Sequence, residues 1–234
     1  MSVTGAMASR QHSCLLAGHG RDRHFCRLAL TKCQKSGNLL AKYENLILVS
    51  ERRPPVRVPP LPADQWDDAV DHALSSLPEE RRNPQASGNL LATLVRHPKL
   101  TRAFLRFNNH LLYSSTLPPR LRELAVLRVA HRAQSEYEWR HHVRMGLEAG
   151  LTEENIDGIQ RGEATDDLDR AIIHAVDELQ DKSVVSDETW AVLTEHLDER
   201  QCMDLVFTIG CYGALAMAIN TFGVEPDSET NSER

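Results

Sequence analysis

Hydrophobic residues recur at the spacing of an α-helix along most of the chain after residue 62. Trp66, Val70 and Leu74 lie four positions apart and predict a helix near 64–77, which Pro78 ends. Similar apolar stripes lie at 90–95, 100–111, 121–129, 168–179 and 190–197. No pair of segments shows the alternation that two adjacent β-strands would show. The pattern therefore predicts an all-α fold.

Residues that are typical of helix ends separate these stripes. They are Pro118-Pro119 and Ser186 before helices, Gly150 and Gly162 after helices, and Asp198 with Gln201 as a capping box. These end residues predict two further helices, near 135–149 and 152–162.

The last predicted helix, at 205–223, is apolar on nearly every side. A helix of this kind must be covered on every side. In a domain of this size a second copy of the chain is the expected cover. We therefore predict a homo-oligomer.

Composition divides the chain into parts. Residues 1–53 carry nine Lys/Arg against three acidic residues, whereas the remainder carries 18 Lys/Arg against 30 acidic residues. Five prolines lie in 54–62 and favour an extended connection. We predict a basic, poorly ordered extension (1–53), a Pro-rich linker (54–62), a helical domain (63–224) and a polar tail (225–234). The basic residues of the extension are scattered, so no nucleic-acid partner is expected.

The sequence also bears on compartment and on metals. We find neither an apolar run of the roughly 18 residues that span a bilayer nor a secretory signal, and we predict a cytoplasmic protein without a membrane partner. The five cysteines form no disulfide-like framework, and free thiols are expected. A zinc site at His19, His24, Cys26 and Cys33 has no CxxC pair to anchor it. We predict no bound metal.

Candidate chemistry is concentrated in the octet SEYEWRHH at 135–142. On a helix, Glu138 and His142 are four residues apart and would meet on one face, while Trp139 should point inward. A carboxylate that is hydrogen-bonded to an imidazole sets its tautomer and prepares it for acid/base catalysis. The same spacing is also common in purely structural or solvated pairs. His141 is expected to be exposed.

Metal binding by the same region is a weaker interpretation. His131, Glu138, His141 and His142 offer ligand atoms, but the segment contains no HExxH motif.

Residues 120–159 resemble the carboxymuconolactone decarboxylase family of the alkylhydroperoxidase D-like superfamily. The features that match are Arg120 and Glu123, the Tyr-Glu-Trp triplet at 137–139, His142, and the Gly-Leu-Thr turn at 150–152. The similarity extends from about Pro59 to Val224. The resemblance implies an alkylhydroperoxidase D-like helical domain that assembles as a homotrimer or homohexamer, with sites near subunit contacts.

The peroxidase branch of this superfamily carries a Glu, a CxxC pair and a His that form a proton relay. Glu123 and His142 match the Glu and the His, but Ser135 and Glu138 occupy the two cysteine positions. Disulfide exchange requires a thiolate, so the resemblance does not favour a cysteine peroxidase.

The decarboxylase branch implies other roles. His142 would donate the proton, and Glu138 and Glu123 would orient the His142 ring. Arg120 or Arg128 would hold an anionic substrate. Tyr137 and Trp139 complete the predicted substrate-contacting set. Arg120 and Arg128 could equally be solvated or paired with Glu123 and Glu136, and Tyr137 could serve only packing.

Three hypotheses follow from the sequence. The leading one is a decarboxylase-like lyase that acts without a cofactor on a small anionic or lactone-type substrate. The second is antioxidant hydroperoxide reduction, as in the peroxidase branch. The third is a helical oligomer that binds a small molecule without catalysis.

Overall fold

The computed structural model describes residues 55–227 of the 234-residue chain. Its α-helices are α1 (Asp68–Ala73), α2 (Gly88–Leu94), α3 (Pro98–Asn109), α4 (Pro119–Arg132), α5 (Glu136–Glu148), α6 (Glu153–Arg161), α7 (Asp167–Lys182), α8 (Asp187–His196) and α9 (Glu199–Phe222). The described residues contain no β-strand, and the all-α prediction is confirmed. The predictions for 1–53 and for a zinc site within it lie outside the described residues.

Helix α4 forms the centre of the domain. Every residue from 121 to 130 is buried, because α5, α6, α7 and α9 all pack around it. Three charged residues, Arg122, Glu123 and Arg128, lie in this buried stretch. Buried charges are tolerated when they are paired and hydrogen-bonded, so α4 is where a polar cluster is expected.

The predicted helix ends are largely observed. Gly162 adopts the left-handed conformation after α6, and the Ser186 side chain accepts a hydrogen bond from the Thr189 backbone N–H at the start of α8. Asp198 and Gln201 form the predicted capping box of α9.

Two elements near the start of the domain differ from prediction. The helix predicted at 64–77 is reduced to α1, because the Asp67 side chain accepts from the N–H groups of Ala69 and Val70 and fixes the start there. Helix α3 continues into one turn of π-helix, His110–Ser114.

The Pro-rich segment packs onto the helical domain along residues 55–61. The backbone N–H groups of Arg57 and Val58 donate to the Phe222 carbonyl at 2.8 and 3.1 Å, and Leu61 N donates to Ala92 O at 2.7 Å. These residues therefore belong to the packed structure.

Helix α9 combines a buried face with an exposed apolar stripe. Cys202, Leu205, Tyr212 and Ile219 are buried, whereas Met203, Phe207 and Met217 are 55%, 55% and 71% exposed. The helix is long and apolar enough to cross a membrane by length and composition, contrary to the expectation that no segment would be. Half of that apolar window is buried inside the domain.

Candidate active site

Glu123 lies at the centre of a buried polar cluster, with 0% of its surface exposed. Its Oε2 atom accepts a hydrogen bond from Nδ1 of His142 on α5 at 2.6 Å. Its Oε1 atom accepts from Nε of Arg122 at 3.0 Å and lies 2.9 Å from Nη2 of the same guanidinium. Helices α4 and α5 are thus joined by an Arg122–Glu123–His142 chain.

The surroundings of Glu123 keep its carboxylate ionised. Burial alone raises the pKa of Glu123, but the hydrogen bonds and positive charges of His142 and Arg122 outweigh it and leave the pKa below its ordinary value. An ionised carboxylate only accepts hydrogen bonds, so the shared proton sits on Nδ1 of His142. Nε2 is then the ring nitrogen that can accept or deliver a proton.

Packing fixes both ends of this chain. Arg122 donates from Nη1 to the Leu112 carbonyl at 2.8 Å, within the π-helical turn. The His142 ring contacts the Tyr212 ring edge to face, with 4.9 Å between centroids and 89° between planes. The imidazole is therefore held by α4 on one side and by α9 on the other.

The prediction that Glu138 pairs with His142 is wrong. His142 turns toward Glu123, whose ionised carboxylate attracts the Nδ1–H more strongly than a neighbour on the same helix. Glu138 is 2% exposed, and neither of its oxygens forms a hydrogen bond with a described residue. Burial raises the pKa of Glu138 to about 8, and the nearby Ser135 hydroxyl opposes this only in part. At pH 7 Glu138 is therefore a neutral acid one helical turn from His142.

Arg120 and Arg128 are engaged in ion pairs with α7. Arg120 binds both carboxylate oxygens of Asp169 at 2.7 and 2.6 Å. Arg128 binds both oxygens of Asp177 at 2.7 Å and donates to the Ile159 carbonyl at 2.7 Å. The alternative partners, Glu123 and Glu136, are not the ones observed. Each arginine therefore already has a protein carboxylate as its counterion.

Tyr137 and His141 anchor the segment that follows α9. The Tyr137 hydroxyl donates to Oδ2 of Asp227 at 2.9 Å, and Nε2 of His141 lies 3.3 Å from the same oxygen. The two rings stack with 4.4 Å between centroids. The expectation that His141 is exposed is therefore wrong, since the ring is partly buried and held.

Trp139 points inward as predicted and is fully buried at 0% exposure. Its ring lies 5.8 Å from that of His131, measured between centroids. Contact of Trp139 with a substrate would therefore require a rearrangement of the core.

Three residues of the site were not identified from sequence: Arg122, which binds Glu123, and Asn108 and Cys211. Asn108 on α3 donates to the sulfur of Cys211 on α9 at 3.8 Å. Burial raises the pKa of the Cys211 thiol, and the Glu138 carboxyl raises it further despite the opposing Asn108 hydrogen bond. Asn108 and Cys211 are 103 positions apart, and no local pattern links them.

Two of the four candidate metal ligands, His141 and His142, are held by carboxylates. Glu123 binds Nδ1 of His142, and Asp227 lies against His141. Among residues 55–227, no group of three or more His, Cys, Asp or Glu side chains is arranged to hold a metal ion.

Comparisons with known proteins agree with the resemblance seen in the sequence. The model of the carboxymuconolactone decarboxylase family matches residues 98–181, a shorter span than the sequence resemblance indicated. A solved structure from Agrobacterium tumefaciens, of a protein of unknown function proposed to be the antioxidant defence protein AhpD, has a similar fold. It is 19% identical, with a TM-score of 0.53, and the match covers 57% of this chain and 94% of that one. No curated protein matches the chain.

Proposed function

Starting from the match of residues 98–181 to the carboxymuconolactone decarboxylase family, we propose that this chain is a carboxymuconolactone decarboxylase-like enzyme. It would use acid/base chemistry without a cofactor on a small anionic or lactone-type substrate. The observation that carries the proposal is the buried Arg122–Glu123–His142 chain, with the protonated Glu138 one helical turn away.

The Arg122–Glu123–His142 chain has the properties of a positioned acid/base. Glu123, itself held by Arg122, orients the His142 ring, because its carboxylate accepts the hydrogen bond from Nδ1. Glu138 is kept neutral by burial and can donate a hydrogen bond at neutral pH, where an ordinary glutamate cannot. One group can therefore transfer a proton while the other stabilises negative charge.

These roles fit the loss of CO₂ from an unsaturated lactone acid. When the carboxylate leaves as CO₂, its electron pair moves into the conjugated system and places negative charge on the lactone carbonyl oxygen. The hydrogen-bond donor Glu138 would stabilise that oxygen, and imidazolium Nε2 of His142 would return a proton to carbon. The product carries hydrogen in place of the carboxylate, and the imidazole regains a proton from water.

The proposal requires that a substrate can reach His142 and Glu138. His142 is 7% exposed and Glu138 is 2% exposed in the single chain. A substrate reaches them only if neighbouring side chains move, as the lids and loops of many enzymes do.

Hydroperoxide reduction is the second candidate, favoured by the fold shared with the protein proposed to be AhpD. Peroxide attack would need a thiolate near His142. The described cysteines, Cys202 and Cys211, are both buried, and burial raises the pKa of each thiol. These properties support the acid/base proposal instead.

A substrate screen tests the proposal. The purified full-length protein is incubated with a panel of unsaturated lactone acids of the type formed by aromatic ring cleavage, and CO₂ release is measured. We expect release from at least one compound, with one CO₂ per substrate consumed. Thiol-dependent consumption of an organic hydroperoxide, with no CO₂ from the panel, would support the second candidate instead.

A further inference from the structure

A surface groove separate from the candidate active site lies between α1 and α3. Its volume is about 460 Å³. The lining residues are Ala69, His72 and Ala73 of α1 and Pro98, Lys99, Arg102, Ala103 and Arg106 of α3. None of them belongs to the Arg122–Glu123–His142 chain, so a ligand in the groove would not occupy that site.

Three cations line one side of this groove. Lys99, Arg102 and Arg106 are spaced by three and four residues, so they lie on the same face of α3. Among residues 55–227, no carboxylate lines the groove. All three side chains are exposed.

The cations of the groove differ from the arginines of α4. Arg120, Arg128 and Arg132 each form an ion pair with an aspartate on α7. Within residues 55–227, neither Arg102 nor Arg106 forms an ion pair or hydrogen bond through its side chain. The chain after residue 53 carries more acidic than basic residues, 30 against 18, so partners are plentiful in the sequence. Unpaired cations around a concave surface are therefore a feature that an anionic ligand would complete.

Apart from the three cations and His72, the lining is apolar and small. Ala69 and Ala73 of α1 face Pro98 and Ala103 of α3 across the groove. The small side chains of the three alanines leave room for a flat or branched hydrocarbon body. Sites for small molecules commonly have a volume of roughly 300–1,000 Å³ and pair an apolar lining with a few polar groups.

From this groove we infer a binding site for a small organic anion with an apolar body. The carboxylate, sulfonate or phosphate of such a ligand would lie against Lys99, Arg102 and Arg106, and its hydrocarbon part against the alanines. The first and last cations are seven helical steps apart, about 10 Å, which suits one or two anionic groups better than a nucleic-acid backbone.

Titration with a defined probe pair tests the inference. Naphthalene-2-sulfonate supplies an aromatic body with an anionic group, and 2-naphthol supplies the same body without that charge at pH 7. Binding of each to the full-length protein is measured by isothermal titration calorimetry at low and high salt. The test variant is Arg102→Gln/Arg106→Gln. The control is Arg200→Gln, which removes an exposed arginine of α9 outside the groove.

We expect the sulfonate to bind to one site per chain, and its affinity to fall about tenfold or more in the double variant and at high salt. The control variant should bind like the unaltered protein, and 2-naphthol should bind weakly to all three. Equal affinity in the double variant would overturn the inference, since the probe would then lie elsewhere, for example on the apolar stripe of α9. Equal binding of the two probes would also overturn it. So would a change in oligomeric state of the double variant, because the groove would then be a contact between copies.

Discussion

Nδ1 of His142 lies 2.6 Å from Oε2 of Glu123, although the two residues are 19 positions apart and on different helices. Both side chains are buried, and Arg122 binds the second oxygen of the same carboxylate. This arrangement leaves Glu123 charged and Nε2 of His142 available.

Replacement of Glu123 by glutamine should affect both activity and stability. The substitution leaves the Arg122 charge buried without a counterion, a change that typically costs about 3–5 kcal/mol of unfolding free energy. It also removes the carboxylate that orients the His142 ring. We expect a lower melting temperature and a rate lowered by about 10²-fold or more.

The control for Glu123→Gln is Glu136→Gln, which breaks the partly exposed ion pair with Arg140. That change should cost only about 0.5 kcal/mol. Because the folded-state pKa of Glu123 lies below its ordinary value of 4.5, its stabilising contribution is present above that pH. It is lost as the pH falls through the folded-state pKa. Equal acid sensitivity of the unaltered protein and Glu123→Gln would contradict this account of the pair.

Glu138→Gln should stabilise the fold at alkaline pH. The folded-state pKa of Glu138 is raised to about 8 from 4.5, so the folded protein keeps a proton that the unfolded chain releases. The free energy of unfolding therefore decreases as the pH rises from about 4.5 to about 8, and Glu138 causes no further change above that range. Glutamine stays neutral and avoids the penalty, which amounts to a few kcal/mol at roughly 1.4 kcal/mol per pKa unit.

Chemical unfolding at pH 5 and pH 8.5 measures this effect. The difference in unfolding free energy between Glu138→Gln and the unaltered protein should be larger at pH 8.5. A constant difference would show that Glu138 is ionised in the folded protein at both values.

Asp227→Asn should loosen the segment that follows α9. Asp227 accepts from the backbone N–H of Asn89 at 2.6 Å and from the Tyr137 hydroxyl at 2.9 Å. Its pKa is lowered because the hydrogen bonds from His141, Asn89 and Tyr137 outweigh the effect of burial. The stabilisation by Asp227 is thus present above its ordinary pKa of 3.8 and is lost as the pH falls through the lower folded-state value.

Hydrogen exchange measures the loosening around Asp227. Asp227→Asn should speed the exchange of the Asn89 amide, whereas Glu225→Gln, a change to an exposed side chain of the same segment, should not. Unchanged exchange at Asn89 in Asp227→Asn would contradict the proposed anchor.

The exposed stripe of α9 should mediate self-association, with trimers or multiples of trimers expected. Phe207 and Met217 are 55% and 71% exposed on the most apolar helix of the domain, and large exposed apolar patches mark interaction surfaces. Sedimentation equilibrium of Phe207→Gln/Met217→Gln should show smaller species than the unaltered protein. Val184→Gln, at an apolar residue that is 60% exposed outside this helix, should leave the assembly intact. A stable monomer of the unaltered protein at micromolar concentration would contradict the prediction.

The fold could be predicted from sequence much further than the site could. Helix α7 is amphipathic and α6 has a capping box at Thr152, so local spacing determines both. The partner of His142 could not be obtained in this way. Helical spacing pointed to Glu138, but the choice between Glu138 and Glu123 depends on how α5 packs against α4. Glu123 was recognised only through the family resemblance, and its bond to His142 through the structure.

Contacts between residues far apart in sequence determine the partners of the other predicted site residues. Arg120 and Arg128 were expected to face a substrate or nearby carboxylates, yet each binds an aspartate 49 positions later. Those two pairs share the same separation because α4 and α7 run side by side, a relationship that no motif encodes. His141 similarly acquires its partner from beyond the last helix.

The most direct test of the central claim is the turnover of His142→Gln, measured together with its melting temperature, on a substrate identified by CO₂ release. The suitable control is His174→Gln, because His174 is exposed on α7, whereas His141 contacts Asp227. The account predicts that His142→Gln lowers turnover by about 10²–10⁴-fold while a cooperative melting transition is retained. His174→Gln should keep full activity. Full activity of His142→Gln, or a loss of activity only in proportion to the unfolded fraction, would contradict the claim that His142 transfers the proton.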